Sequence, residues 1–223
     1  MDERTLRDRA VDYIRKNRVS TTEVADCLGK SGAVPNVTAI NRGHFRVGPV
    51  FWAYACDESN WPVHEQIQDV NEGDVVLVEA FDCGERAIFG DLVSKYLLLY
   101  KQAEAVVVMG RLRDTSRLMK EYYAIWCDGY SPVGCFNRDP DVRPDPELER
   151  SRRAEYDGAI AVCDDAGVVV VRKEQLTEEF LRSLEHIEEQ EDIWYECIDR
   201  RKWSTYETVC LKKYLVADPD AGA

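Results

Sequence analysis

The chain has 223 residues, 45% of them hydrophobic and 32% charged, a balance that suits a folded globular protein and excludes a disordered segment. Its 42 acidic residues against 29 basic ones give a formal net charge of −13, which argues against a protein that tracks nucleic-acid phosphates. No apolar run approaches transmembrane length, and the opening MDERTLRDRAVDYIRKN has no apolar leader-like stretch, so neither a membrane nor a nucleic acid is an expected partner.

In chain order, Leu6, Ala10, Tyr13 and Ile14 recur at helical spacing and predict a short amphipathic helix. Ser20-Thr21-Thr22-Glu23 is a capping signal, and the helix after it, Val24–Lys30, should stop at Ser31-Gly32. Strands are expected at Val47–Cys56 and Asp74–Glu79, with a helix at His64–Val70 between them. Gly90-Asp91 then opens an apolar-faced helix, followed by a strand at Ala105–Met109, a turn at Arg113-Asp114, a helix at Arg117–Tyr122 and a strand at Tyr123–Cys127. Three prolines and alternating charges make 138–153 read as a loop or insertion. A hairpin, Ala159–Cys163 and Val168–Val171, closes over Asp164-Asp165-Ala166-Gly167. From Thr177 the chain is helical, with Phe180, Leu184, Ile187 and Trp194 on one face. The organisation expected is an N-terminal helix over 1–19, an α/β core over 20–176 that includes 138–153, and a helical tail over 177–223.

The eight cysteines are scattered without a CxxC pair, which excludes a zinc knuckle and a thioredoxin-type motif. Cys56 and Cys163 sit in apolar strand-like runs, where a thiol behaves as a small hydrophobe. A reduced, cytoplasmic protein is the expectation.

The chemistry concentrates in Gly90–Asp114. Arg113 and Asp114 are adjacent just past an apolar strand, where a guanidinium and a carboxylate together can hold an organic acid and a divalent cation. A surface ion pair on an ordinary loop is the plainer alternative. Gly90, Asp91, Leu92 and Val93 offer free N–H groups at a helix start, a seat for a carboxylate. His64 is either a substrate-binding base or a satisfied histidine near a helix start. His44 reads as a surface residue, Asp164-Asp165 as turn chemistry, and Glu79, Asp82 and Glu85 as solvated charges at a strand end. Lys95, Lys101 and Lys120 all fall on helices with charged faces, so none is placed as a Schiff-base nucleophile.

Read in order, these segments resemble a family. The matching elements are Ser20-Thr21-Thr22 with Ala25, Asp26 and Leu28; Arg46-Val47-Gly48-Pro49; and Asn60 with His64 and Ile67. They continue through Glu72-Gly73-Asp74-Val75-Val76, Gly90-Asp91-Leu92, Gly110 with Arg113-Asp114, Ser131-Pro132 with Gly134, and Asp164-Asp165 with Gly167-Val168-Val169-Val170-Val171. The whole is similar to the family of regulators of ribonuclease activity A and 4-hydroxy-4-methyl-2-oxoglutarate aldolases. The resemblance implies an α/β swivelling β/β/α fold with helical extensions, assembled as a homotrimer or hexamer. It also implies a class II lyase for a small 2-oxo acid, with Mg²⁺ or Mn²⁺ anchored by Asp114 largely through waters. In that reading Arg113 binds the keto oxygen, and the Leu92 and Val93 amides bind the carboxylate. Glu188 or Glu189 of one subunit would reach a neighbouring site. The alternative that the family supplies is a non-catalytic regulator of RNA processing, of the ribonuclease E inhibitor kind. Met109, Glu155-Tyr156-Asp157-Gly158 and Arg172 depart from the family pattern and are expected around the rim of the Arg113 cleft, so substrate identity does not transfer.

Overall fold

The computed structural model describes residues 5–215. Two helices open it: α1 (Leu6–Asn17) and α2 (Thr21–Cys27). The expected capping signal of α2 forms in full: Ser20 Oγ accepts from Glu23 N at 3.2 Å and Glu23 Oε2 accepts from Ser20 N at 2.6 Å. Because Ser20 is the cap, the helix begins at Thr21, ahead of the expected start at Val24.

Eight strands are linked in the order β1-β6-β5-β3-β2-β7-β8, with β4 paired to β5, as a larger and a smaller sheet joined through β2. β2 (Arg46–Cys56), β3 (Val75–Phe81), β5 (Ala105–Leu112) and β6 (Ile125–Tyr130) run parallel as the centre of the larger one. Covered on both faces, their inner residues read as unbroken apolar runs: Val75 to Val78 and Ala105 to Val108 are all fully buried. β1 (Thr38–Ala39) is an antiparallel edge on β6, and β4 (Ala87–Phe89) lies beside the end of β5. β7 (Ile160–Asp164) and β8 (Gly167–Val171) form the expected hairpin.

β2 belongs to two sheets. Arg46–Pro49 pairs antiparallel with β7, whereas Val50–Cys56 pairs parallel with β3. The changeover falls at Gly48-Pro49, where the backbone passes so close to Gly73 that a Cβ on Gly48 would collide with the Gly73 carbonyl oxygen.

Three cores result. On one face of the parallel sheet, α3 (Trp61–Gln66), α4 (Asp91–Lys95) and α5 (Thr115–Lys120) place Val63, Val93 and Leu118 against Val76, Val78 and Val106. The other face buries Trp52, Leu77, Val107 and Trp126, with Tyr156 from α6 (Pro146–Tyr156). The third core lies between the hairpin and α1, α2 and α7 (Glu178–Asp199), which contributes Phe180, Leu181 and Leu184.

Several elements differ from the sequence expectation. The charged stretch read as a loop or insertion over 138–153 is half helix: Pro146 occupies the first turn, Asp145 Oδ1 caps Glu147 N at 2.7 Å, and Glu149–Arg153 pairs across one turn. The helix after Gly90 is only five residues long and runs into a wider turn, Tyr96–Tyr100, closed by Lys101 N to Tyr96 O at 2.9 Å. β5 continues three residues past Met109, and β4 has no counterpart in the sequence reading. His44 is buried, stacked on Tyr122 with ring centroids 4.4 Å apart, and is not a surface residue. The tail expected over 177–223 is helical through α7; its last eight residues, 216–223, lie outside the described residues, as do 1–4. Among the described residues no helix is long and apolar enough to cross a membrane.

Replacing Gly48 with Ala should force β2 and the Gly73 turn apart and cost about 1–3 kcal/mol, the usual penalty for overpacking. Urea unfolding with an unchanged midpoint would show that β2 does not pass Gly73 this closely.

Candidate active site

Leu112, the last residue of β5, is fully buried, so the chain must turn immediately to bring its next side chains to the surface. Arg113 N donates to Phe89 O at 3.0 Å, tying the strand end to β4. Asp114 then adopts the left-handed conformation, φ 58° and ψ 31°, and its carbonyl accepts from Arg117 N at 2.9 Å and Leu118 N at 3.2 Å, starting α5. Asp is among the few residues that tolerate this conformation, but it does so at a cost. The turn sets Arg113 Nε 3.7 Å from Asp114 Oδ2, with the two side chains 50% and 44% exposed. An ion pair that open to water contributes little stability, and both groups stay reachable by a ligand.

Two glycines shape the space around the pair. A Cβ on Gly90 would collide with Asp114 Oδ2, and a Cβ on Gly134 would sit 2.5 Å from Arg113 Nη1. Gly134 is held there because Val133 O and Cys135 N bracket Ala87 with hydrogen bonds of 2.8 Å each. Asp91 N donates to Asp114 Oδ2 at 3.2 Å, and the Asp91 carboxylate pairs with Arg117 Nη1 at 3.2 Å. Gly90-Asp91, Arg113-Asp114 and Ser131–Gly134, far apart in sequence, thus meet beside a cleft of about 400 Å³ lined by Arg113, Asp114, Tyr130 and Ser131.

Leu92, Val93 and His64 line a neighbouring groove of about 420 Å³ with Tyr96 and Tyr100, and the structure does not place His64 against Arg113 or Asp114. The Leu92 and Val93 N–H groups belong to the first turn of α4 and have no protein acceptor among the described residues. Partial desolvation by burial lowers the His64 pKa.

Among the described residues no group of three or more His, Cys, Asp or Glu side chains gathers to hold a metal. The single half-exposed carboxylate at the turn, Asp114, suits a hard cation that keeps most of its water, as Mg²⁺ does, and not a dehydrated transition-metal cage.

Residues 21–170 match the profile of the RraA-like family, described as Aldolase/RraA. The chain belongs to the RraA-like family. Solved structures agree on the fold. A protein of Pseudomonas syringae pv. tomato superposes with a TM-score of 0.64 at 20% identity, covering 90% of this chain and 96% of its own. Streptomyces coelicolor RraAS2, described as an unusual member of the RNase ES inhibitor RraA family, superposes at 0.61 with 23% identity, over 81% of this chain and 94% of its own. The RNA-processing inhibitor RraA from Thermus thermophilis gives 0.51 at 19% identity, over 68% and 91%.

Within this RraA-like core, two expectations from sequence are corrected and one is met. Met109, Glu155 and Arg172, expected at the rim of the Arg113 cleft, line a different cavity on the opposite face of the sheet. Glu79, expected as a solvated charge, is 4% exposed and lies in that cavity. Asp164 is structural, as its turn position suggested: its carboxylate accepts from Thr21 N, Thr21 Oγ1 and Ala166 N. The Asp91–Arg117 contact had no sequence signal beyond charge, because it joins residues 26 apart in the chain.

The left-handed turn makes a stability prediction. Asp114→Gly removes the Cβ penalty and should be about 1 kcal/mol more stable than Asp114→Ala. Denaturation midpoints in the reverse order would contradict the observed turn.

Proposed function

We propose that the Arg113–Asp114 cleft cleaves a C–C bond in a small 2-oxo acid, by aldol cleavage or decarboxylation, through a pyruvate-type enolate. The observation that carries this reading is the half-exposed guanidinium and carboxylate, 3.7 Å apart at the end of a parallel strand and cradled by two glycines. Such a pair adds little stability, and its surroundings are shaped to leave room at both heads. Asp114 is the residue that would hold a Mg²⁺ or Mn²⁺ ion, which would supply a Lewis acid for the developing enolate charge. Arg113 hydrogen-bonds the keto oxygen and strengthens as that oxygen gains charge. The Leu92 and Val93 N–H groups take the substrate carboxylate, and Asp91, held by Arg117, orients Asp114. His64, whose pKa burial lowers, contacts the part of the substrate that extends into the neighbouring groove. No lysine lines the cleft beside Arg113 and Asp114, and Lys95 lines only the neighbouring groove, so this reading assigns the cleavage no Schiff base.

The assembly we propose is a homotrimer or hexamer. Leu92, Leu99 and Tyr100 are 79%, 55% and 71% exposed on the face beside the cleft, an apolar patch that a second subunit would cover. A second reading, a non-catalytic regulator of RNA processing, draws on the net charge of −13, which suits docking on a basic partner.

With Mg²⁺ and oxaloacetate the purified protein should release pyruvate, and excess EDTA should abolish the reaction. Arg113→Ala should lower kcat by about 100- to 1,000-fold, the cost of one oxyanion donor. Arg113→Lys should recover only part, since an ammonium lacks the forked donor geometry. Added Mg²⁺ should rescue Asp114→Ala partly and Arg113→Ala not at all. Failure of the wild type on a panel of 2-oxo acids would hand the case to the regulator; near-normal activity in either mutant would remove the proposed roles. Sedimentation should show a trimer or hexamer, and a stable, active monomer would refute the assembly.

A further inference from the structure

The face of the parallel sheet opposite α4 and α5 carries a second, part-open cavity, of about 400 Å³, between β3, β5, β8, α6 and the Ser31–Pro35 segment. That volume lies within the range of small-molecule sites, about 300–1,000 Å³. Its floor is Glu79, which occupies a β3 position where Val75 and Leu77, four and two residues earlier, are core. Trp52 Nε1 donates to Glu79 Oε2 at 2.8 Å. The other oxygen, Oε1, has Arg152 Nε 3.5 Å away but accepts no hydrogen bond among the described residues. Arg152 Nε in turn finds no acceptor. Above them Glu155 is shared: Oε2 accepts from Arg152 Nη1 at 2.8 Å, and Oε1 accepts a short bond from Arg172 Nη2. Both oxygens of Glu155 are thereby used, while each guanidinium keeps N–H groups to spare.

This is a poor way to stabilise a fold. A buried carboxylate with one unfilled oxygen costs more than a well-packed apolar residue of similar size. Burial also raises the Glu79 pKa. The arrangement is a sensible way to bind something. The lining charges, Glu79 and Glu155 against Arg152 and Arg172, sum to zero, so a ligand of either net charge meets two like charges. Glu79 Oε1 and Arg152 Nε lie together at the floor as an ion pair without a hydrogen bond, and the spare donors of Arg172, 49% exposed, stand at the mouth. Val34, Met109 and Val170 supply an apolar part of the wall, beside Ser31 and Gln175.

We propose that this cavity binds a small zwitterion of the aliphatic α-amino-acid class, its ammonium on Glu79 Oε1, its carboxylate on Arg172 and Arg152, and its side chain against Val34, Met109 and Val170. The site is separate from the proposed lyase cleft and does not depend on that activity.

The full-length protein should be titrated calorimetrically with L-alanine, L-valine, L-leucine and L-methionine, with their N-acetyl and methyl-ester forms, and with glycerol, glucose and succinate. Saturable binding of at least one free amino acid is expected, lost when either charged end is blocked. Glu79→Gln, nearly isosteric, and the half-exposed Arg172→Ala should each raise Kd about tenfold or more. Arg113→Ala should leave Kd unchanged, and circular dichroism should show all three variants folded. The proposal is overturned if no free amino acid binds at millimolar concentration, if polyols or succinate bind in their place, or if affinity survives Glu79→Gln. Should Glu79→Gln misfold, Arg172→Ala and the blocked ligands decide the question alone.

Discussion

The structure depends on one strand serving two sheets. β2 gives its first four residues to the antiparallel hairpin and its last seven to the parallel sheet. That shared backbone fixes the small sheet, with α1, α2 and α7 packed on it, relative to the parallel sheet that carries the site. The junction is tight: Gly48 lies against the Gly73 carbonyl, and Val47, one residue earlier, is already in the core between the hairpin and the helices. A side chain at position 48 would separate two cores at once, since close-packed interiors do not yield continuously.

The parallel sheet explains why chemistry collects where it does. Parallel strands point their C-terminal ends the same way, and the loops after them converge. At the end of β5 the convergence is sharpened by a register shift between Val108 and Arg111, by the left-handed Asp114 and by glycines at 90 and 134. Backbone strain of this kind persists where the surroundings over-determine it, and it characteristically marks sites of function. β5 also serves both faces: Met109 looks into the cavity floored by Glu79, and Arg113, four residues on, faces the cleft. A single buried strand therefore borders two ligand-sized spaces.

Much of this was legible in the sequence, and the gaps have physical causes. Unbroken apolar runs such as Val75–Val78 and Val168–Val171 mark strands wherever they occur, and the Ser20–Glu23 capping box marks a helix start, because both signals are local. The Arg113-Asp114 turn was visible for the same reason. What could not be read was decided by contacts between distant segments. β4 is three residues long and exists because β5 and the Val133–Cys135 segment flank it. α6 hides behind prolines that look like loop markers until one of them proves to sit in a first helical turn. Glu79 looked solvated because a carboxylate usually is; its burial follows from Trp52 and Arg152, 27 and 73 positions away. His64 could be placed near a helix start but not beside a particular cleft, since that depends on how α3 packs against α4.

The claim at the centre is that Arg113 and Asp114 act on one ligand together, the carboxylate through a metal and the guanidinium directly. Calorimetric titration of Mn²⁺ with and without oxalate, a planar mimic of enolpyruvate, tests it without reference to any natural substrate. Binding should be reciprocal: oxalate should tighten Mn²⁺ by about 5- to 150-fold, and Mn²⁺ should tighten oxalate by the same factor. Arg113→Ala should keep Mn²⁺ binding but lose most of that coupling, whereas Asp114→Ala should weaken Mn²⁺ itself. Mn²⁺ binding that is unaffected by oxalate, or unchanged in Asp114→Ala, would contradict a shared site at this turn.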